Sequence, residues 1–475
     1  MAAHRLKALQ VLLLLALTAT ATARHQSIVD PSAMDGDLTK CGASAEDDGA
    51  ASCGAERECE KDANDSGDDV CLHEQLLPLS PRDAYGTAAL LCGLCLAASA
   101  GIGGGGLNVP ILLLIFNFEM DEAVVLSNAA VMGNGLAQIL INFGRRHPND
   151  PTKTLIDWDA VLVLLPAQLA GGDVGVVAGA GVPATLLATL SCALLFVAAA
   201  KTLFKARKQF NAETGAAPPL TNGAGPPLSS VVPWTNVGAV LAFVGLFSVD
   251  AILLKSSRKC SPVYWLSFAA TFPFVVGLAV WTKRRLSRRS AASAVASEVE
   301  APSVGDGDAT LRQTLLGDDD DETPPKARTP DGDVDWAAWG TRAPLVASFI
   351  GLLSALLGLG GGELLGPVLL GLGMMPARSS ATTATTSLLS TLANFAHYAA
   401  QGELRRTNFL PYALWVAACG LVAGSCGRRA ALALARRGRA SAISAALGVV
   451  LTVSLGLMMF DATTDGGGFA FQGFC

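Results

Sequence analysis

Gly101-Ile-Gly-Gly-Gly-Gly-Leu-Asn-Val-Pro110 and Gly358-Leu-Gly-Gly-Gly-Glu-Leu-Leu-Gly-Pro367 are two versions of one stretch. Four glycines stay in register, Gly101/Gly358, Gly103/Gly360, Gly104/Gly361 and Gly105/Gly362, and Pro110 and Pro367 close the copies at the same offset. Chance rarely keeps such a register, so the pattern reads as an internal duplication. An apolar run enters each copy and another leaves it. The glycines therefore interrupt what hydropathy alone would make one membrane helix, and paired interruptions in two halves point to the binding site of a transporter.

The chain has 475 residues, 51% of them apolar and only 16% charged. Several apolar runs reach the ~20 residues that a bilayer-spanning helix needs, which places the chain among multi-pass membrane proteins. Its basic residues stand in short clusters beside those runs, where they anchor cytosolic loops; nothing in their pattern points to nucleic acid.

Residues 1–23 pair a basic start (His4, Arg5, Lys7) with an apolar core and an Ala21-Thr22-Ala23 end, the pattern of a cleaved secretory signal, with an uncleaved anchor as the alternative. The polar, acidic segment 24–79 holds Cys41, Cys53, Cys59 and Cys71. Delivered outside the cytosol, these form two disulfides with three possible pairings. Asn64-Asp65-Ser66 is a glycosylation sequon on the same side. The expected location is the secretory pathway or plasma membrane.

A first transmembrane repeat with two additional spans fills 84–282, and a second repeat fills 343–460. Between them, 283–340 starts basic and turns to Ser, Ala, Asp and Pro, the composition of a disordered cytosolic linker. Residues 461–475 form a glycine-rich tail. As one helix, Ala84 to Phe118 would be about 52 Å long, too long for one upright span and too short for two. Loop charge decides for a hairpin over a tilted, kinked span. If each broken unit returns to the side it came from, Arg145/Arg146/Lys153, Lys201/Lys205/Arg207/Lys208, Lys283 to Arg289 and the Arg428 to Arg439 cluster all fall in the cytosol. Only Lys255, Arg258, Lys259, Arg405 and Arg406 stay outside, as the positive-inside rule requires. The fold expected is an all-α polytopic membrane protein with inverted-topology repeats: about eight full spans plus two re-entrant, glycine-tipped hairpins.

The glycine tips carry the expected chemistry. Gly103, Gly104, Gly105, Gly360, Gly361 and Gly362 can turn backbone N–H groups toward an anion, and the outgoing half-helices add positive dipole ends, giving an oxyanion site with no cation of its own. Close helix packing is the alternative use of such glycines, and it is preferred for Gly171/Gly175 and Gly420/Gly424. Ser127, Asn128, Asn134 and Gln138 follow the first tip; Ser380, Thr382, Thr383, Thr385, Thr386, Ser387 and Asn394 follow the second. Of these, Ser127, Asn128, Ser380 and Thr382 are the candidate contacts to the solute, with helix–helix hydrogen bonding as the other use. Glu363, in the second tip, is the candidate for proton coupling, ahead of Asp173, Asp250 and His397. Gly101-x-Gly103-x-x-Gly106 lacks the strand and the distal acid of a dinucleotide site. Nothing calls for a catalytic residue, a metal or a cofactor; the expected partners are a small anion and the lipid bilayer.

Together, Gly101 to Leu112, Leu126-Ser127, Arg146-His147-Pro148, Ile156-Asp157-Trp158-Asp159, Gly358 to Pro367 and Ser379-Ser380-Ala381-Thr382 resemble the TauE/SafE sulfite exporter family in its eukaryotic form. That resemblance implies a secondary transporter of sulfite, sulfonates or related anions. The cysteine segment and the long linker lie outside the pattern. Asn108 against Leu365, and Gly106 against Glu363, mark the two halves as unequal. A non-transporting membrane adaptor that recruits partners through its linker and luminal segment is the alternative from another class. It would survive loss of the hairpin glycines and fail on loss of the linker.

Overall fold

A computed structural model describes residues 57–61, 69–118, 120–147, 150, 152–179, 184–212, 231–256, 261–300, 334, 336–339, 342–356, 361–400, 409–437, 439 and 441–464. The residues expected to form a signal (1–23), Cys41, Cys53, Asn64, Gly360 and most of the stretch expected to be linker lie outside them, as do the side chains of Glu363, Asp250 and His397.

Strands β1 (Arg57–Lys61) and β2 (Asp69–His73) form an antiparallel ribbon within the cysteine-bearing segment that precedes the helical body. Its register sets Cys59 opposite Cys71. His73 fastens the ribbon to the helical body: its ring stacks on Phe118 at 4.1 Å and Nε2 lies 2.8 Å from the Phe116 carbonyl. Among the described residues the helices that follow are α1 (Pro81–Ala100), α2 (Gly105–Leu114), α3 (Met120–Asn142), α4 (Trp158–Gly179), α5 (Ala184–Ala212), α6 (Trp234–Ser256) and α7 (Pro262–Glu300). Then come α8 (Trp336–Trp339), α9 (Arg342–Leu356), α10 (Gly361–Gly371), α11 (Pro376–Ala400), α12 (Phe409–Arg436) and α13 (Ser441–Thr464).

Local chemistry sets the ends of the first broken unit. Ser80 caps α1 by accepting from the Asp83 amide at 3.0 Å, and Pro81 occupies the first turn, where no N–H is needed. At the other end Gly101 adopts φ 80°, and the Gly101 and Ile102 amides return to Ala98 and Ala97, a glycine-dependent stop. Gly104, at φ 84°, reopens the chain as α2. Pro110 and Pro367 lie inside α2 and α10 and do not end them. The return path is antiparallel: a Cβ on Gly93 would strike Leu107, and one on Gly86 would strike the Phe116 ring, so α2 runs back along α1.

The two halves interlock. Helix α9 packs on α4 and α12 on α1, while α3 meets α11 and α5 meets α13. These crossings are close because their glycines lack side chains. A Cβ on Gly171 would overlap the Ser348 carbonyl, one on Gly175 the Leu352 carbonyl, and one on Gly420 the Ala130 carbonyl. Gly424 meets Asn134 in the same way. The packing use expected for these four glycines is the one observed.

Among the described residues, Pro81–Ala100, Glu122–Asn142 and Phe409–Leu434 are long and apolar enough to cross a membrane by length and composition. Large apolar side chains face outward along α6, α7, α9 and α12, including Leu241, Leu266, Phe274, Phe349 and Val422, the surface a lipid-facing bundle presents. Two boundaries differ from expectation. Helix α7 runs on to Glu300, into the stretch expected to be linker, because Lys, Arg, Ala, Ser and Glu sustain helix once a span has nucleated it. Helix α12 likewise continues past Gly427 to Arg436, so Arg428 and Arg429 belong to a helix and not to a loop.

Candidate functional site

At the first tip the carbonyls are spoken for and the amides are not. Asn134, fully buried on α3, donates from Nδ2 to the Gly103 carbonyl at 3.1 Å and to that of Ile102 at 3.4 Å, and is itself held by Gln138 Nε2 at 3.1 Å. In a trans peptide the N–H points opposite to the C=O. Pinning the Ile102 and Gly103 carbonyls on α3 therefore turns the Gly103 and Gly104 amides away from it. Among the described residues the amides of Gly103, Gly104 and Gly105 have no acceptor. These belong to the unpaired donors at the start of a helix, where the dipole is positive. Asn108, one turn into α2, is fully buried, and neither its Oδ1 nor its Nδ2 has a partner.

At the second tip the described polar groups are side chains. Gly361 and Gly362 open α10. A Cβ on Gly361 would overlap the side-chain amide of Gln168 on α4, and one on Gly362 would overlap Ser387 Oγ and crowd the Thr383 methyl on α11. Gln168 Oε1, Thr383 Oγ1 and Ser387 Oγ are buried without partners. A buried polar atom without a partner costs about 1–3 kcal/mol, so a cluster of them calls for a ligand or water.

One helix carries both tips. Gly101 packs on Ser380 and Gly362 on Thr383 and Ser387, so both glycine turns lie against a stretch of α11 about 10 Å long at 1.5 Å per residue. Helices α2 and α10 touch, and Ile102 shares a core with Leu364 and Leu365.

Of the residues expected at the solute, Ser127 donates to the Gly105 carbonyl at 3.4 Å and stands at the first tip. Ser380 stands there too, with its hydroxyl engaged by Arg428 Nη1 at 2.8 Å. That contact corrects the expectation of a site without a cation: Arg428, read from sequence as part of a cytosolic loop, is fully buried on α12 beside the tip. Asn128 donates to the Val124 carbonyl of its own helix, and Thr382 accepts the Asp157 amide at 3.0 Å, so neither side chain points its polar group at a glycine turn. Thr385 and Thr386 donate to carbonyls of their own helix. Asn108 and Gln168 were not singled out as contacts, although each is a lone amide side chain in an apolar helix.

The connection from α3 to α4 forms a floor below the site. Arg146 and Thr154 pair across it, His147 is buried, and Asp157 caps α4 through the Ala160 amide at 3.0 Å. Asp150 sits at its turn. Burial raises the pKa of its carboxyl, but hydrogen bonds from Thr152 and the charge of Lys153 outweigh that and hold it below the ordinary carboxylate value.

A family model described as sulfite exporter TauE/SafE matches residues 85–251 and 265–459. Among similar relatives from Arabidopsis thaliana, "Sulfite exporter TauE/SafE family protein 3" is 26% identical over 401 residues, covering 78% of this chain and 76% of the relative. Family protein 2 is 25% identical over 421 residues, covering 81% and 85%, and family protein 5 is 25% identical over 412 residues, covering 80% and 83%. No solved structure matches the chain.

Proposed function

The chain belongs to the sulfite exporter TauE/SafE family, an integral multi-pass membrane protein, and from that premise we propose that it is a secondary transporter of a small sulfur oxyanion or organosulfonate, of which sulfite is the type. The observation that carries this reading is the convergence of two glycine-opened helix N-termini on one short stretch of α11, with acceptor-free amides at Gly103, Gly104 and Gly105. Backbone N–H groups at a positive helix end bind compact anions and offer little to cations. Asn108, Gln168, Thr383 and Ser387 supply unpartnered polar atoms around it. Gly103, Gly104, Gly105, Gly361, Gly362, Ser127 and Ser380 are the contacts retained from the sequence. Gly360, Asn128 and Thr382 stay as candidates.

Transport proceeds by alternating access between two inverted halves. The reciprocal pairing of α1 with α12 and of α9 with α4 is what two like halves facing each other would make, and the antiparallel return of α2 along α1 favours a re-entrant hairpin. Glu363 couples transport to a proton. Flux of sulfite, sulfate and short sulfonates into sealed proteoliposomes tests the reading: it requires at least one of these anions to move or compete, and it fails if only neutral or cationic solutes do. With E363Q, pH-driven flux should vanish while counterflow exchange at equal pH survives.

A further inference from the structure

Arg428 is the one fully buried arginine among the described residues, and its hydrogen bonds all go to neutral groups: Nε to Asn142 Oδ1 at 2.7 Å, Nη1 to Ser380 Oγ at 2.8 Å and Nη2 to the Ala377 carbonyl at 3.5 Å. Among the described residues no carboxylate pairs with it. The other buried arginine of this region, Arg378, has Asp157 at 3.0 Å. A buried charge is ordinarily paired, because leaving it alone costs several kcal/mol. The groups around Arg428 do not supply what it lacks. Since the guanidinium only donates, it fixes the Asn142 amide with Oδ1 toward Nε, and Asn142 Nδ2 is left buried with no acceptor. Ser380 Oγ accepts from Arg428, which leaves its own proton to give. A guanidinium, an unclaimed amide and a free hydroxyl proton thus converge beside Gly101, and every one of them asks for an acceptor.

We propose that Arg428, Asn142 and Ser380 form a charged station for the transported anion beside the first glycine turn, with the substrate as the missing counter-ion of Arg428. This rests on the anion-transport reading and deepens it. The glycine tips alone would take any compact acceptor, whereas a fixed positive charge selects a solute that carries a full negative charge. It also makes the empty site cationic, so that loading a monoanion neutralises the cluster.

Asn142→Asp tests this. The substitution keeps Oδ1 for Arg428 Nε and replaces the unclaimed donor with a carboxylate, giving Arg428 a permanent counter-ion. A purely structural Arg428 would be better satisfied and transport unchanged. A substrate-binding Arg428 would be blocked. In proteoliposomes, N142D should lose about tenfold or more in sulfite flux at low concentration, as expected for losing a charge-assisted contact. Its thermal midpoint should hold or rise, and added sulfite should raise the wild-type midpoint but not that of the variant. Arg428→Lys, which keeps the charge but not the fork, should raise the apparent KM about tenfold. Wild-type flux in N142D, or an unchanged KM in R428K should N142D not reach the membrane, overturns the station and leaves the transport reading standing. Failure of the wild-type protein to move any oxyanion overturns the transport reading itself.

Discussion

Asp157 Oδ2 and Arg378 Nη2 form a buried ion pair at 3.0 Å that ties the start of α4 to the start of α11. Trp336 Nε1 donates to the same carboxylate oxygen at 3.0 Å, and the Asp157 amide is taken by Thr382. The pair thus holds the helix that carries both glycine turns. Removing one partner of such a pair leaves the other charge buried and costs about 3–5 kcal/mol. Asp157→Asn should therefore lower the thermal midpoint of the detergent-solubilised protein markedly, while Asp157→Asn with Arg378→Met should recover much of the loss. A single variant as stable as wild type would show that the pair does not hold α11.

The tip glycines and the crossing glycines should fail differently. Alanine at Gly104 must adopt φ near 84° and sits 3.0 Å from the Ala97 methyl, a penalty of roughly 1 kcal/mol or more that a whole bundle can absorb. Its methyl also comes to 3.6 Å from the unpartnered Asn108 Oδ1. Gly104→Ala should reach the membrane folded yet transport at least about tenfold more slowly, on the scale of one lost anion contact. Gly361→Ala should do the same by displacing Gln168. Gly171→Ala and Gly420→Ala meet backbone carbonyls of α9 and α3, which cannot step aside, so folded yield should drop while the surviving protein keeps its apparent affinity. Normal kinetics in both tip variants would make the tips packing devices.

Asp150 gives the floor loop a pH response. Its folded pKa lies below the unfolded value of 3.8, so its contribution to stability is present above that value and is lost as pH falls through the folded pKa. Asp150→Asn should remove that acid-side change and leave behaviour near neutrality little altered. A stability profile in which the variant and the wild type remain parallel down to acid would remove the loop from the account.

Much of this was legible because the signals were strong and local. Glycine runs between apolar segments forecast the α1/α2 and α9/α10 breaks. Packing glycines at Gly171 and Gly420 were readable from their spacing on apolar helices. What escaped depended on which way a side chain faces across the bundle. Thr382 and Ser380 share one helix, yet one caps the floor at Asp157 and the other meets Arg428, a difference set by their angular positions against two different neighbours. Arg428 read as a loop cation because positive clusters at span ends usually are; only the continuation of α12 to Arg436 buries it. The positions of Cys59 and Cys71 stand opposite each other across β1 and β2, a register that no local signal in the sequence sets.

Asn108 offers the sharpest separation of stability from function. It is fully buried on α2 with both side-chain polar atoms unpartnered, while Leu365, at the matching position of the second glycine stretch, is apolar and buried. An unsatisfied buried amide costs about 1–3 kcal/mol, and replacing it by an apolar group of similar shape relieves that cost. Asn108→Leu should therefore raise the thermal midpoint of the empty protein, by an amount corresponding to about 1 kcal/mol or more. If the amide is kept because it touches the solute, the same variant should lose sulfite flux and any stabilisation by added sulfite. A residue retained for packing would show the reverse: lower stability on substitution and unaltered transport in the protein that folds. Thermal melts with and without sulfite, run beside the flux assay, separate the two, and an N108L variant that is both less stable and fully active would remove Asn108 from the site.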